Sequence, residues 1–500
     1  MPCCKRTALR SNPECQALIW DGFSRAQLFI CLLNFSTAIL QYANLEAGCT
    51  RAKGNEILWN TTMNRLQTED EADIYGVECT GTVFGGLRPT SVLSTMSSVA
   101  NILIALMLPL SGSLIDHTHS RKKVVVWSWL GLWVGNFFQI FTNTSNWEVM
   151  VLVQAVICAV SYMVHQTVIL SYVTEVVSDM DEQLKEMNML LRISEISTML
   201  AFLVGVGIVS IILGLDALDQ ATLGQAVACG GSLFPFYFVI KNLGERKAKR
   251  EIPDNTSLYA AGVNNLKNTF GDVRKNFPEL FKMLFAIMFI EGANSNAVSS
   301  CITFITQELE QENPTPIILM ILFVMVPGAW SAPHIQRKLG VRGALLFIVL
   351  LNTFATLFIQ FFCYNPETAS RFPIAAICYG IGIGATYPIQ RTVFYSLSPF
   401  GQENEMISIF QASCMIIQFL PGIFYTGINE MLGSLRWAMS SLVLFWLIGW
   451  VFVFMIDFDK GVADAAKTAH LKYTDGVTSA KVSSAIAAEF RKSELANKKR

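Results

Sequence analysis

Glu291 stands in the run FIEGANSNAV, with long apolar sequence on both sides. Glu291, Asn294 and Ser295 are spaced i, i+3 and i+4, so a helix puts them on one face. A carboxylate out of contact with water is favoured in its neutral form. Such a group can carry a proton or meet an ammonium; bonded to a neighbouring helix, it would only hold structure. A second stripe is Gln154, Cys158, Ser161 and His165, with Gln166 next in sequence. Histidine ionises near neutral pH in water, so His165 can relay a proton; the plainer role is a hydrogen bond between helices. A third stripe is Gly380, Gly384, Tyr387 and Arg391. A guanidinium can hold a carboxylate in a planar fork, or it can pair with Glu403 or Glu405 nearby in sequence. Asn34 and Gln41 on an early segment and Gln411 on a late one would add polar walls. The chain has no H-E-x-x-H and no cysteine pairs at zinc spacing, and its GIGIGATYP run is too apolar for a phosphate loop. Neither an enzyme nor a bound metal or cofactor is expected.

The elements that must position these residues are membrane helices. The chain has 500 residues, 52% of them hydrophobic and 15% charged, against about 25% charged in soluble domains. A net charge of −1 gives no bias towards nucleic acid. About twelve apolar segments, the first at 26–43 and the last at 436–456, reach the roughly 20 residues a helix needs to cross the bilayer. Backbone polar groups in lipid have to be satisfied internally, which favours helices. The fold expected is all-α and polytopic, with two six-helix pseudo-repeats. Residues 1–25 form a cytosolic N-terminal segment, 26–241 the first bundle, 242–279 a cytosolic linker, 280–456 the second bundle and 457–500 a cytosolic tail. HQTVILSYV and QRTVFYSLS echo one another in the two halves, as parallel-repeat transporters do.

Lys and Arg mark the cytosolic side. They collect around Lys5 to Arg25, at Arg121 to Lys123, in GERKAKR and at Arg337 to Arg342, whereas QTEDEAD and QELEQEN fall on the opposite side. Both termini are therefore expected in the cytosol. The sequons at Asn60 and Asn143 fall in the lumenal loops and are candidates for glycosylation. Cys49 and Cys79 share the first lumenal loop, where a disulfide is one of two readings and free thiols the other. In the hinge SGSLIDHTHSRKKVVV, Gly112 permits close backbone approach, and Asp116 can pair with Arg121 or lie at a helix N-terminus.

Gly112, Asp116, Arg121 and Lys122 resemble the hinge motif of the major facilitator superfamily, with His119 and Ser120 where a second glycine is usual. The resemblance implies a cytosolic gate latched against the helices of the other half. VECTGTVFGGLRPTSVLSTMSSVANIL, SYVTEVV and QRTVFYSLSPFGQENEMISIF are similar to the autophagy-related vacuolar amino-acid effluxer branch of that superfamily. That likeness implies alternating-access export of neutral amino acids from a vacuole or lysosome to the cytosol, with proton coupling through Glu291 in view. The residues themselves leave open a sugar, nucleoside or metal ion as solute, the plasma membrane as location, and a non-transporting scaffold.

Overall fold

The structure, a computed structural model, describes residues 12–51, 59–60, 65–66, 77–79, 81–117, 120–176, 181–215, 217–246, 257–311, 315–399 and 403–473. The side chains of Asn34, Asn60, Cys79, Asp116, Glu403 and Glu405 lie outside the described residues, as do His119 and the tail beyond 473.

Helix α1, Pro13–Glu46, begins well before the position expected for the first crossing. Asn12 explains the start: its side chain accepts a hydrogen bond from the Glu14 amide at 2.9 Å, and Pro13 at the first helical position needs no amide partner. The helix has 34 residues, about 51 Å at 1.5 Å per residue. Its polar residues are not a solvated preface to the membrane. Asp21, Ser24 and Arg25 are all buried, so Arg25 is an interior residue rather than a marker of the cytosolic face.

Short strands β1 (Cys49–Arg51) and β4 (Val77–Cys79) pair antiparallel with Cys49 opposite Cys79, and Cys49 is disulfide-bonded. Strands β2 (Trp59–Asn60) and β3 (Arg65–Leu66) pair between them. Next come α2 (Val92–His117) and α3 (Arg121–Gln139). Helix α4 (Trp147–Val153) runs through a π turn at Gln154–Cys158 into α5 (Ala159–Val176). At that turn Gln139 donates to Gln154 at 2.7 Å and accepts from Gln225 at 3.1 Å, a buried relay that gives each amide a partner. Helices α6 (Asp181–Leu213) and α7 (Ala217–Asn242) complete the first group.

The region expected as a linker contains a helix, α8, Leu258–Asn276, capped by Ser257. It lies on α2 so closely that a Cβ on Gly262 would meet the Pro109 carbonyl oxygen at 2.0 Å. The second group is α9 (Pro278–Gln307), α10 (Thr315–Phe362), α11 (Phe372–Leu397), α12 (Glu403–Met415), α13 (Phe419–Leu432), α14 (Leu435–Ala438) and α15 (Ser440–Phe454), followed by α16 (Phe458–Tyr473). Helix α10 turns at Gly340, whose φ of 72° no β-branched residue adopts comfortably.

Among the described residues, eight stretches are long and apolar enough to cross a membrane. One of them, Pro316–Phe362, has 47 residues and contains the Gly340 turn. The outer surface carries Ile211, Ile212, Phe234 and Trp330 at 81%, 76%, 65% and 65% exposure. An apolar exterior of that kind is stable against hydrocarbon, not water. The chain is an all-α polytopic membrane protein. One apolar core draws on 273–456 with Ile104 and Leu108, and another draws its buried residues from 15–243, with Tyr395 packed against it. A third joins α1, α2 and α6 to Ile302, Ile318 and Leu322 across the seam.

Candidate functional site

Several charged side chains of the interior gather where α1, α5 and α6 face α9 and α11. On α1, Asp21 and Arg25 lie one turn apart. Arg25 hydrogen-bonds Glu195 of α6, and its Nε stands 3.5 Å from Asp21 Oδ2. Asp21 Oδ1 lies 2.7 Å from His165 Nε2, and neither residue has exposed surface. The other ring nitrogen of His165 faces the Val125 carbonyl at 3.1 Å and the Ser128 hydroxyl at 3.3 Å. Glu195 also pairs with Arg192 at 3.5 Å, the pairing its i, i+3 spacing suggests. Tyr162 of α5 stands beside Arg25 and Glu195.

From the other group, Tyr387 of α11 presents its ring to two guanidiniums. Arg391 lies 4.0 Å from the ring centroid and also donates to the Tyr387 hydroxyl. Arg192, from α6, lies 5.2 Å away. A ring face attracts a cation by its quadrupole, so Tyr387 gathers positive charge from both groups of helices at one point. Glu291 is within electrostatic reach of Arg192 and Arg391. It is half-buried, and the amide of the fully buried Gln390, beside Arg391, is within reach of its carboxylate.

Asn294 holds Glu291 in place. Its carbonyl oxygen accepts from Trp446 Nε1 at 3.1 Å and from Asn352 at 3.3 Å, which turns its NH2 to the Glu291 carboxylate at 3.3 Å. Asn294 is therefore a positioning residue. Gln411 is buried and, with Arg391, Leu170, Val173, Phe394 and Phe410, lines a small cleft between α5, α11 and α12. Gln41 and Gln166 are half-buried and lie outside this cluster's contacts. The structure thus brings Glu291, Tyr387, Arg391 and Gln411 together at the seam with Asn294 behind Glu291, while His165 is held inside the first group by Asp21, Val125 and Ser128. Sequence reasoning missed Asp21 and Arg25, because a hydropathy reading placed them before the first crossing.

Two sets of contacts frame the seam. At the hinge end Arg121, 1% exposed, binds Glu175 at 2.6 Å. Glu175 binds Arg246 at 3.0 Å, and Arg246 forks onto Glu14 at 2.9 and 2.7 Å. This network lies within the first group of helices, whereas the latch expected for the hinge reaches the other half. Gly112 and Lys122 are half-buried there. At the opposite end α2 is tied to α13. Ser94 meets Thr426 at 2.7 Å, Asn429 donates to Thr90 and Ser91 at 2.7 and 2.8 Å, and Arg88 lies 3.6 Å from Glu430. Below them the Gln418 carbonyl, at the break between α12 and α13, accepts from Asn101 at 3.3 Å and Asn296 at 2.7 Å. Among the described residues no group of His, Cys, Asp and Glu could hold a metal ion.

Solved structures similar to this chain include transporters. The human organic anion transporter MFSD10 (TETRAN) superposes with a TM-score of 0.57 at 9% identity, over 87% of this chain and 98% of its own. A mutant of the nucleoside transporter NupG gives 0.53 at 13% identity, over 90% and 99%. A bacterial homologue of the iron transporter ferroportin, outward-facing, gives 0.51 at 15%, over 88% and 98%. At these identities the likeness is one of fold, the major facilitator fold. In sequence, the chain is similar to Autophagy-related protein 22 of Vanderwaltozyma polyspora, 26% identical over 186 residues, 35% of this chain and 36% of that protein. It is also similar to that of Kluyveromyces lactis, 23% identical over 221 residues, 42% of this chain and 45% of that protein. The chain thus spans less than half the length of the curated relatives it matches. The family described as "Vacuole effluxer Atg22 like" matches residues 14–466, nearly the whole chain. A match over that span shows the family, and the chain belongs to the vacuole effluxer Atg22-like family.

Proposed function

We propose that this protein is a secondary transporter that carries a small polar solute by alternating access, with about twelve crossings in two sets of six. The first set starts at Pro13 rather than at 26 and runs to the end of α7; the second runs from α9 to α15. The reading is carried by one observation: guanidiniums from both sets meet at Tyr387, with the Glu291 carboxylate in reach. Polar and charged groups are costly inside a bilayer and usually mark a solute path.

A site with both charge signs suits a zwitterion. Arg391 and Arg192 would take the solute carboxylate and Glu291 its ammonium, while Asn294 fixes the carboxylate. Neutral amino acids leaving the vacuole or lysosome lumen fit that chemistry and the family's description as vacuole effluxers. The termini would face the cytosol, Asn60 and Asn143 the lumen. The α2–α13 contacts would then close the lumenal end, and Gly112, Asp116, Arg121 and Lys122 with the Glu175 network would steady the cytosolic end. A second reading, an organic anion, draws on the three arginines Arg25, Arg192 and Arg391 clustered here.

Counterflow in vesicles tests both. Purified protein would be reconstituted, loaded with unlabelled solute and offered labelled neutral amino acids, dicarboxylates or nucleosides. Amino-acid exchange that Glu291→Gln and Arg391→Lys each slow at least tenfold supports the zwitterion site. Dicarboxylate exchange indifferent to Glu291→Gln supports the anion reading instead. Amino-acid exchange at full rate in both variants would refute the site.

A further inference from the structure

The pair Asp21–His165 is buried away from the proposed solute contacts, and its hydrogen bonds count its protons. The Val125 carbonyl can only accept, so the His165 Nδ1 that faces it at 3.1 Å carries hydrogen. Ser128 agrees: its hydroxyl donates to the Val124 carbonyl at 2.7 Å and is left as an acceptor towards the same nitrogen. On the other side Nε2 stands 2.7 Å from Asp21 Oδ1. Two lone pairs at that distance repel, so a second proton lies between them. Whether it is drawn on the ring or on the carboxyl, the pair holds one proton that it can lose, and with it is neutral overall.

Arg25 records that proton. Its Nη2 bonds Glu195, while its Nε and Asp21 Oδ2 face each other at 3.5 Å, both buried and neither hydrogen-bonded among the described residues. Such a pair of half-satisfied atoms is rare inside a protein. It is the geometry expected when Asp21 is neutralised by His165 and Arg25 leans the other way. Without the shared proton Asp21 is a full anion with no exposed surface, and the nearest cation is Arg25. Closing that gap draws the guanidinium from Glu195, and Glu195 then draws on Arg192, the cation that reaches Tyr387 from this side. The charged and titratable groups around the pair are Arg25 on α1, Tyr162 on α5, Arg192 and Glu195 on α6 and Tyr387 on α11; α3 contributes Ser128 and Trp129, and α7 the ring of Phe236 at 6.3 Å. Helix α1 is close to α6 here, since a Cβ on Gly22 would meet Ser194 Oγ at 2.9 Å. A shift of Arg25 is therefore felt directly by α6.

We propose that Asp21 and His165 hold the coupling proton of this transporter, and that Arg25 and Glu195 transmit its presence to Arg192 at the seam. Glu291 is then left to the solute. The inference rests on the transport reading, and the experiment separates the two. Exchange in vesicles would be measured across about pH 5 to 8, the range in which a histidine changes charge, for the wild type, Asp21→Asn and His165→Gln. The wild-type rate is expected to vary with pH, and both variants to give flat profiles; a wild-type profile that is flat, or variants that keep its shape, overturns the proposal. In parallel, nitrogen-15 spectra of histidine-labelled wild-type protein read the pair with no need of transport. A ring with hydrogen on Nδ1 and a shared proton at Nε2 that changes on raising pH supports it. A His165 Nε2 signal that does not change through the whole range overturns it. Absence of exchange by any solute, with that histidine signature present, would sink the transport reading and leave the proton pair standing. If the variants fail to fold, the wild-type spectra alone decide.

Discussion

Replacing Glu175 should destabilise the protein more than replacing Arg121, although the two form one ion pair. Arg121 is 1% exposed, its Nη1 lies 2.6 Å from Glu175, and neither Nε nor Nη2 has a hydrogen bond among the described residues. Removing one partner of a buried pair costs about 3–5 kcal/mol, because the other charge stays buried and uncompensated. Glu175→Gln leaves Arg121 in that position, so the upper part of the range applies. Arg121→Gln leaves Glu175 with Arg246 at 3.0 Å. Its charge stays compensated, so the cost falls to about 1–2 kcal/mol. The double variant removes both charges and should lie above Glu175→Gln in stability, with a coupling of about 2 kcal/mol. Equilibrium unfolding in mixed detergent and dodecyl sulfate micelles measures all three. An Arg121→Gln cost equal to or larger than that of Glu175→Gln would refute the argument that Arg246 shields the carboxylate.

Gly422→Val should prise α13 from α2, since a Cβ there meets Ser98 Oγ at 2.3 Å and Asn296 Oδ1 at 2.9 Å. Overpacking of about 1–2 kcal/mol favours the open end roughly tenfold, read as faster thiol labelling of Ser94→Cys. Burial pushes the Glu308 carboxyl, just past the end of α9, up from the usual 4.5 to about 7, with Arg436 opposing only in part. Because the folded state holds this proton more tightly, the stabilisation is complete below about pH 4.5 and is lost as pH rises through about 7. The difference is about 3 kcal/mol at one unit per 1.36 kcal/mol, and Glu308→Gln should flatten melting temperature over that window. Asn143 is exposed; in a eukaryotic host, Asn143→Gln and Asn60→Gln should each remove one glycosidase-sensitive step if both loops are lumenal.

The apolar segments and the breaks between them were legible because lipid imposes a length and a composition on each helix. What stayed hidden was polar pairing over distance. Arg25 reads as a boundary marker until its partner Glu195, 170 positions away, is known. His165 reads as a lone histidine for the same reason, its partner Asp21 lying 144 positions earlier. The start of α1 had a local signal, Asn12 before Pro13, but hydropathy outweighed it. Helix α8 also had one, in the Ser257 cap and the alternation of buried Ala261, Gly262 and Val273 with exposed charge. Glu291 was readable because a carboxylate in a long apolar run is conspicuous alone. Tyr387 and Arg391 were readable as a stripe, but that Arg192 joins them from another helix was not.

Stability does not explain why Asp21, Arg25, His165, Arg192 and Glu195 share one buried site. Each charged residue raises the cost of a helix in the bilayer by about 2.5–3.5 kcal/mol. A buried ionic group replaced by apolar residues of similar volume is often neutral or more stable. The cluster is also imperfect in a particular way: Asp21 Oδ2 and Arg25 Nε face each other without closing. A network built for stability would close that gap; one with two arrangements leaves it open in each in turn. The joint replacement Asp21→Leu with His165→Leu separates these accounts. It removes the exchangeable proton and both of its holders while Arg25 keeps Glu195, so the melting temperature should hold or rise while the pH response of exchange disappears. A loss of more than about 3 kcal/mol, the cost of breaking a buried pair, would mean that the network is structural and that its open contact is no switch.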